Sequence, residues 1–258
     1  MAGGAANPGR SVTSRALAVL DAFDSSAPRL SLSEIATRSG LPLTTAHRLL
    51  GELADWGALI RRPDGRYEIG RRLWELGLLA PVQLELRQVA APFLLDVHTA
   101  TRETVHLAVR EDLSALYVER ISGRESAPVV SQVGSRLPLH ATGVGKVLLA
   151  WAPDDVAERA LRAPVRATRH TVVEPGRLRR ELAEVRRRGF ARTAEEMSLG
   201  ASSVAVPVTA NRAGTPVVVG ALGIVVPSHR RDPVRLVPVL EVASRGIGRE
   251  VGRTAGFR

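Results

Sequence analysis

SLSEIATRSGLPLTTAHRLLGELADWGALIRRPDGRYEI, residues 31–69, decides the fold. Ser31 and Glu34 form a capping box: the serine hydroxyl takes the N3 amide and Glu34 reaches back to the cap amide. The helix they start turns Leu32, Ile35 and Ala36 inward, and Gly40 is its left-handed stop. Pro42 suits the first turn of the next helix, where its missing N–H is no loss. There Ala46, Leu49, Leu50 and Leu53 recur at i, i+3, i+4 and i+7, one apolar face. Thr44, Thr45, His47, Arg48 and Glu52 fall on the opposite face. Gly57 ends this helix. Residues 59–62 and 66–69, joined by Pro63-Asp64-Gly65, read as a hairpin with Asp-Gly as its turn signal.

Toward the N-terminus, RALAVLDAF (residues 15–23) is apolar on more than one face, which predicts a short, largely buried helix that residues 25–28 break. Residues 1–10, rich in Gly, Ala, Asn and Pro, are expected to be a disordered tail. Helix, helix, short turn, helix and two-stranded wing make a winged helix-turn-helix over residues 11–70. Such a module binds DNA or, alternatively, another protein.

Residues 71–98 carry a helical pattern that Pro81 and Pro92 divide or kink, with residues 71–87 expected as a linker helix. Beyond it, residues 88–258 read as a second domain. Strand patterns at 103–109, 115–121, 203–208 and 217–225 alternate with helices near 143–151, 154–161 and 175–188, and a last helix spans about 233–253. The fold class is α/β (α+β), the second domain being built around a sheet.

The 258 residues suffice for two modest domains, with 45% apolar and 24% charged residues. Cysteine is absent, which excludes disulfides, thiol catalysis and cysteine-based metal sites. No run of about 18 apolar residues and no apolar leader is present, so a cytoplasmic protein without membrane association is expected. The net charge is +10, and Lys146 is the only lysine. Only +2 of that charge lies in residues 1–80, so it gives little support to DNA binding there.

Gly143-Val144-Gly145-Lys146 fails as a phosphate loop, since His140 and Val147 stand where Gly and Ser/Thr are needed. What remains is a Gly-rich turn opening a helix, either a plain helix start or a source of free amides for a carboxylate. Glu195-Glu196 reads as a solvated turn, because neighbours on a strand point to opposite faces. His98 and His106 are conceivable metal ligands, though satisfied or exposed side chains fit them better. Arg186-Arg187-Arg188 at a helix end suits the dipole and faces solvent. No catalytic constellation, metal set or cofactor motif is complete, so no enzyme activity and no cofactor is expected.

Three stretches together resemble the IclR family of transcriptional regulators: residues 30–77, GSRLPLHATGVGKVLLA at 134–150, and RGFARTAEEMSLGASSVAVPV at 188–208. The resemblance implies a winged helix-turn-helix, a linker helix and a GAF-like effector-binding domain, in a homodimer or homotetramer. It implies ligand contacts at Gly143 and Val144 of the Gly-rich turn. Thr193 aligns with a family acid, Ser203 with a family cysteine, and Gly223 and Val225 with polar positions of the last strand. With those polar groups gone, a larger, partly apolar acid, aromatic or branched, is expected in preference to glyoxylate or pyruvate.

The expected function is a DNA-binding regulator, a repressor, controlled by a small-molecule effector. Thr44, Thr45, His47 and Arg48 are assigned to the major groove, and Arg61, Arg62 and Arg66 to phosphates or the minor groove, on double-stranded DNA with a near-palindromic operator. The alternative is a sensor or enzyme whose winged helix binds protein.

Overall fold

The computed structural model describes residues 11–24, 26–79, 84–123, 130–229 and 232–253, with only the backbone of Leu84. The expected tail at 1–10, Pro81 and Ser25 lie outside the described residues. Two compact units divide the chain, residues 1–82 and 83–258.

The first unit runs α1 (Val12–Leu20), β1 (Arg29–Leu30), α2 (Leu32–Ser39), α3 (Leu43–Asp55), β2 (Leu59–Arg61), β3 (Tyr67–Ile69) and α4 (Arg71–Leu78). Both halves of the Ser31/Glu34 capping box form, and Gly40 ends α2 at φ 66°. Leu49 and Leu50 of α3 pack with Ile35 of α2, Val19 of α1 and Tyr67 of the wing in one core. The wing closes with Arg62 N–H donating to Arg66 O at 2.7 Å. A short strand that periodicity could not reveal, β1, pairs with β3 and makes the wing three-stranded, in the order β1-β3-β2. The first helix corrects one expectation: only Val19 of α1 is buried, while Val12 and Leu17 are 51% and 55% exposed. Three polar residues, Thr13, Ser14 and Arg15, break up its apolar surface, so nine residues cover the core along one line only.

The second unit begins with α5 (Leu84–Thr101), a continuous helix with Pro92 inside it. Six antiparallel strands follow in the order β6-β5-β4-β9-β8-β7. They are β4 (Thr104–Glu111), β5 (Ser114–Ile121), β6 (Arg136–Pro138), β7 (Ala191–Ala194), β8 (Ala201–Arg212) and β9 (Thr215–Pro227). Between β6 and β7 come α6 (Gly143–Ala150), α7 (Asp154–Arg162) and α8 (Pro175–Arg188), and α9 (Val237–Arg253) closes the unit. The edge strands β6 and β7 are three and four residues long, too short for an alternation to show.

Side chains alternate across the sheet. Leu107, Leu116, Val206, Leu222 and Ile224 face α5 and α9, where Leu94 and Leu240 join them. Ala108, Ala205 and Ala221 face the other way, toward Val147 and Leu148 of α6 and Leu182 of α8. These small residues let α6 approach the strands closely, and all eight of its residues are buried. Among the described residues no helix is long and apolar enough to cross a membrane.

Candidate functional site

Two surfaces carry candidate chemistry, one in each unit. In the first, Ala46, Leu49 and Leu50 of α3 are consumed by the core, which fixes its outer face. Thr44, His47 and Arg48 are exposed and Thr45 is half-buried. Arg48 pairs with Glu52 one turn on. On the wing, Arg62 pairs with Glu68 at 3.1 Å and Arg66 with Glu34 at 3.0 Å. Arg61 lies over the Tyr67 ring, 5.9 Å from its centroid. Arg29 of β1 joins this cluster, 3.0 Å from Glu68; its exposure beside the wing was not legible because β1 was not. The arginines of these pairs are exposed, although Glu68 is half-buried, and such surface pairs contribute little to stability, which leaves their guanidinium groups open to exchange for phosphate.

In the second unit a cavity lies on the α6 side of the sheet, with about 490 Å³ of space between its walls, the open mouth included. The register explains who meets there. Thr104, Val225, Ser203 and Thr193 form one row across β4, β9, β8 and β7, and His106, Gly223, Ala205 and Ala191 form another two residues along. Gly143, Val144, Thr193, Ser203, Gly223 and Val225 all line the cavity. Thr193 Oγ1 and Ser203 Oγ share a hydrogen bond of 2.6 Å. The Thr142 side chain caps α6 by accepting from Gly145 N–H at 3.1 Å.

The glycines are there for close approach. A Cβ at Gly143 would come within 2.6 Å of Ser203 Oγ, and one at Gly145 within 2.3 Å of the Leu139 carbonyl. A Cβ at Gly223 would meet Val144 Cγ1 at 2.8 Å, so this glycine makes room for the helix as much as for a ligand.

His106, Ser131 and Tyr117 also line the cavity and were missed as binding residues. His106 Nε2 lies 2.9 Å from Ser131 Oγ, and its ring stands edge-on to Tyr117. Burial, reinforced by the Arg120 charge, pushes the imidazole down to about 3. Burial also pushes Tyr117 up to about 12, against the effect of its hydrogen bond with Thr142. His98 is used structurally, its Nδ1 2.7 Å from the Glu103 carbonyl. Among the described residues no group of three or more histidines and carboxylates is placed to hold a metal ion.

The Glu195-Glu196 reading needs correction. Glu195 takes a left-handed φ of 56°, which turns the two side chains apart. Its carboxylate accepts from Gly200 N–H and Ser228 Oγ, and the Ser228 bond is the main reason its pKa is lowered. Glu196 instead goes inward, where Lys146 Nζ donates to its two oxygens at 2.8 and 2.9 Å and to Glu181 of α8 at 2.7 Å. Lys146 and Glu196 side chains are 2% and 8% exposed. Burial raises the Glu196 pKa in opposition to the lysine charge. Met197 and Ser198, the next residues, line the cavity. The bridge therefore ties α6 to the turn carrying the opposite wall. Arg186, Arg187 and Arg188 are exposed as expected, and Arg186 Nε also donates to the carbonyl of Ala150, the last residue of α6.

The matches to known proteins agree with this geometry. The family described as "Bacterial transcriptional regulator IclR C-terminal" matches residues 80–248, and the "IclR helix-turn-helix domain" matches residues 12–63. The chain is 33% identical to the HTH-type transcriptional regulator XynR of Escherichia coli over 250 residues, 94% of this chain and 96% of that protein. It is 35% identical to the glycerol operon regulatory protein of Streptomyces coelicolor over 245 residues, covering 94% and 95% of the two. An IclR homolog from Microbacterium hydrocarbonoxydans, solved in complex with 4-hydroxybenzoate, superposes with a TM-score of 0.84 at 36% identity, over 93% of this chain and 99% of that one.

Proposed function

Because the chain belongs to the IclR family of bacterial transcriptional regulators, we propose that it is a cytoplasmic repressor released from its operator by an aromatic monocarboxylic acid. The observation that carries the ligand class is the convergence of Gly143, Val144, Thr193, Ser203, Gly223 and Val225 on one cavity. Among its described lining residues none is an ionised acid or base at neutral pH. Hydroxyls and helix amides can hold one carboxylate there, and the apolar stretch over Gly223 and Val225 rewards carbon, at about 25 cal/mol per Å² buried. A small, strongly hydrated keto acid would leave that stretch unfilled. The Microbacterium hydrocarbonoxydans IclR homolog, solved in complex with 4-hydroxybenzoate, supports the same class.

On DNA, Thr44, Thr45, His47 and Arg48 read the major groove, and Arg61, Arg62 and Arg66 hold the backbone or minor groove. One winged module buries on the order of 600–1,000 Å² on DNA, so specificity calls for two half-sites. The chain accordingly acts as a homodimer or homotetramer on a near-palindrome.

Fluorescence anisotropy on DNA from the gene's own upstream region tests this. Benzoate-class acids are expected to weaken binding while glyoxylate and pyruvate leave it unchanged. Release by the keto acids with no response to aromatic acids would sink the ligand class.

A further inference from the structure

The cavity has two polar ends. Thr193 and Ser203 form one, beside the first turn of α6. His106 and Ser131 form the other, both nearly fully buried and bonded to each other at 2.9 Å. Tyr117 fixes the plane of the imidazole, with ring centroids 5.1 Å apart and an interplanar angle of 86°. A neutral imidazole holds one N–H and one acceptor nitrogen, and the Ser131 hydroxyl can donate to it while accepting from a third group, or the reverse. The pair can therefore receive either a donor or an acceptor.

The sheet sets the spacing between the ends. Ser203 is on β8 and His106 on β4, with β9 between them. Two strand steps of roughly 4.8 Å, with a two-residue offset of roughly 6.8 Å along the strands, put these backbones about 12 Å apart. The β9 residues between, Gly223 and Val225, bring no hydrogen-bonding side chain to the floor. Both side chains rise from the same face, so only two hydrogen-bond lengths of about 2.8 Å are subtracted, and the remaining span of about 6 Å fits one substituted ring with polar atoms at opposite ends. A compact acid reaches only one end.

We propose that His106, with Ser131, is a specificity-determining residue that hydrogen-bonds an uncharged polar group on the ligand's end opposite its carboxylate, so that the cavity selects para-hydroxylated aromatic acids over their apolar counterparts. This rests on the aromatic-acid ligand proposed for the same cavity. A second carboxylate at that end would be buried against a neutral imidazole, since Arg120, whose charge reaches His106, does not itself line the cavity, and a buried charge without a direct partner is costly.

Calorimetry on the full chain decides it, with benzoate, 4-methylbenzoate and 4-hydroxybenzoate as probes. The methyl and hydroxyl groups are close in size, so their affinity ratio reads the hydrogen bond and not the fit. The native protein is expected to prefer the hydroxyl compound by about tenfold, the worth of one hydrogen bond. That ratio should collapse toward one in His106→Phe and recover in large part in His106→Gln. If His106→Phe does not fold, Ser131→Ala carries the same expectation. A ratio near one in the native protein, or one that survives in both variants, overturns the proposal while tight benzoate binding leaves the aromatic-acid reading standing. If none of the three probes binds, the aromatic-acid reading fails and this proposal falls with it.

Discussion

Arg66–Glu34 and Lys146–Glu196 are ion pairs of nearly equal length, 3.0 and 2.8 Å, yet they are different devices. The first sits on the wing with its side chains 44% and 46% exposed, the second beneath α6 with 2% and 8% exposed. Water screens the first, so a phosphate can replace its carboxylate at little cost. The second is committed, because stripping either partner leaves a charge in an interior that cannot solvate it. The unit with the DNA face keeps its charges exchangeable, and the unit with the cavity spends its one lysine on fixing shape.

Four measurements press on that contrast. Lys146→Met should have the largest effect, a loss of about 3–5 kcal/mol, as expected when one partner of a buried pair is removed. Urea unfolding followed by circular dichroism measures it, and a loss under about 1 kcal/mol would mean the buried pair is as exchangeable as a surface one. Arg48→Ala comes next: operator affinity is expected to drop by a factor of roughly 10 to 100 with melting temperature unchanged. Unaltered affinity at physiological salt would remove α3 from the groove.

The third measurement concerns protons. His106 is held down to about 3 from an ordinary value of 6.5, so the unfolded chain binds the extra proton between those limits. The stability this residue supports is complete above pH 6.5 and is lost as pH falls toward 3, with a limiting slope of about 1.4 kcal/mol per pH unit. His106→Phe should flatten the stability profile across that window, and an unchanged profile would show the ring to be solvated. The smallest effect is expected at Arg62→Ala, which should lower the salt slope of DNA binding by about one while leaving sequence preference alone. A change of preferred sequence would move Arg62 from backbone to base contact.

The two units also differ in how far the chain announces them. Ser31, Glu34, Gly40, Pro42 and Asp64-Gly65 act on neighbours within a few residues, so caps, turn and wing were legible from local chemistry. Strands β8 and β9 were legible in their centres, while their ends depended on a tight turn at Ala213 and Gly214, both at positive φ. The six candidate effector positions could be named only through the family resemblance. That they share a wall depends on the register of four strands, which no local pattern encodes. His106 stayed ambiguous because its partner, Ser131, is 25 residues away, and the Lys146–Glu196 bridge spans 50. One signal for the bridge was present: a single lysine in a chain that otherwise uses arginine. A compact ammonium fits a closed site that a guanidinium fork would overfill.

Every residue of α6 is buried, and its two leading glycines stand against the Leu139 carbonyl and the Ser203 hydroxyl. That leaves this helix almost no freedom to drift: a larger side chain at either glycine must displace backbone or a neighbour before it touches any ligand. Of the strand positions beneath, Ser203 shares that contact with Gly143, while Thr193 and Val225 can trade polarity and bulk within the same pleat. Over evolutionary time the scaffold thus has a fixed lid and an editable floor. A regulator of this architecture that acquires a new inducer is expected to do so by rewriting the sheet, and the Gly-rich helix will look the same before and after.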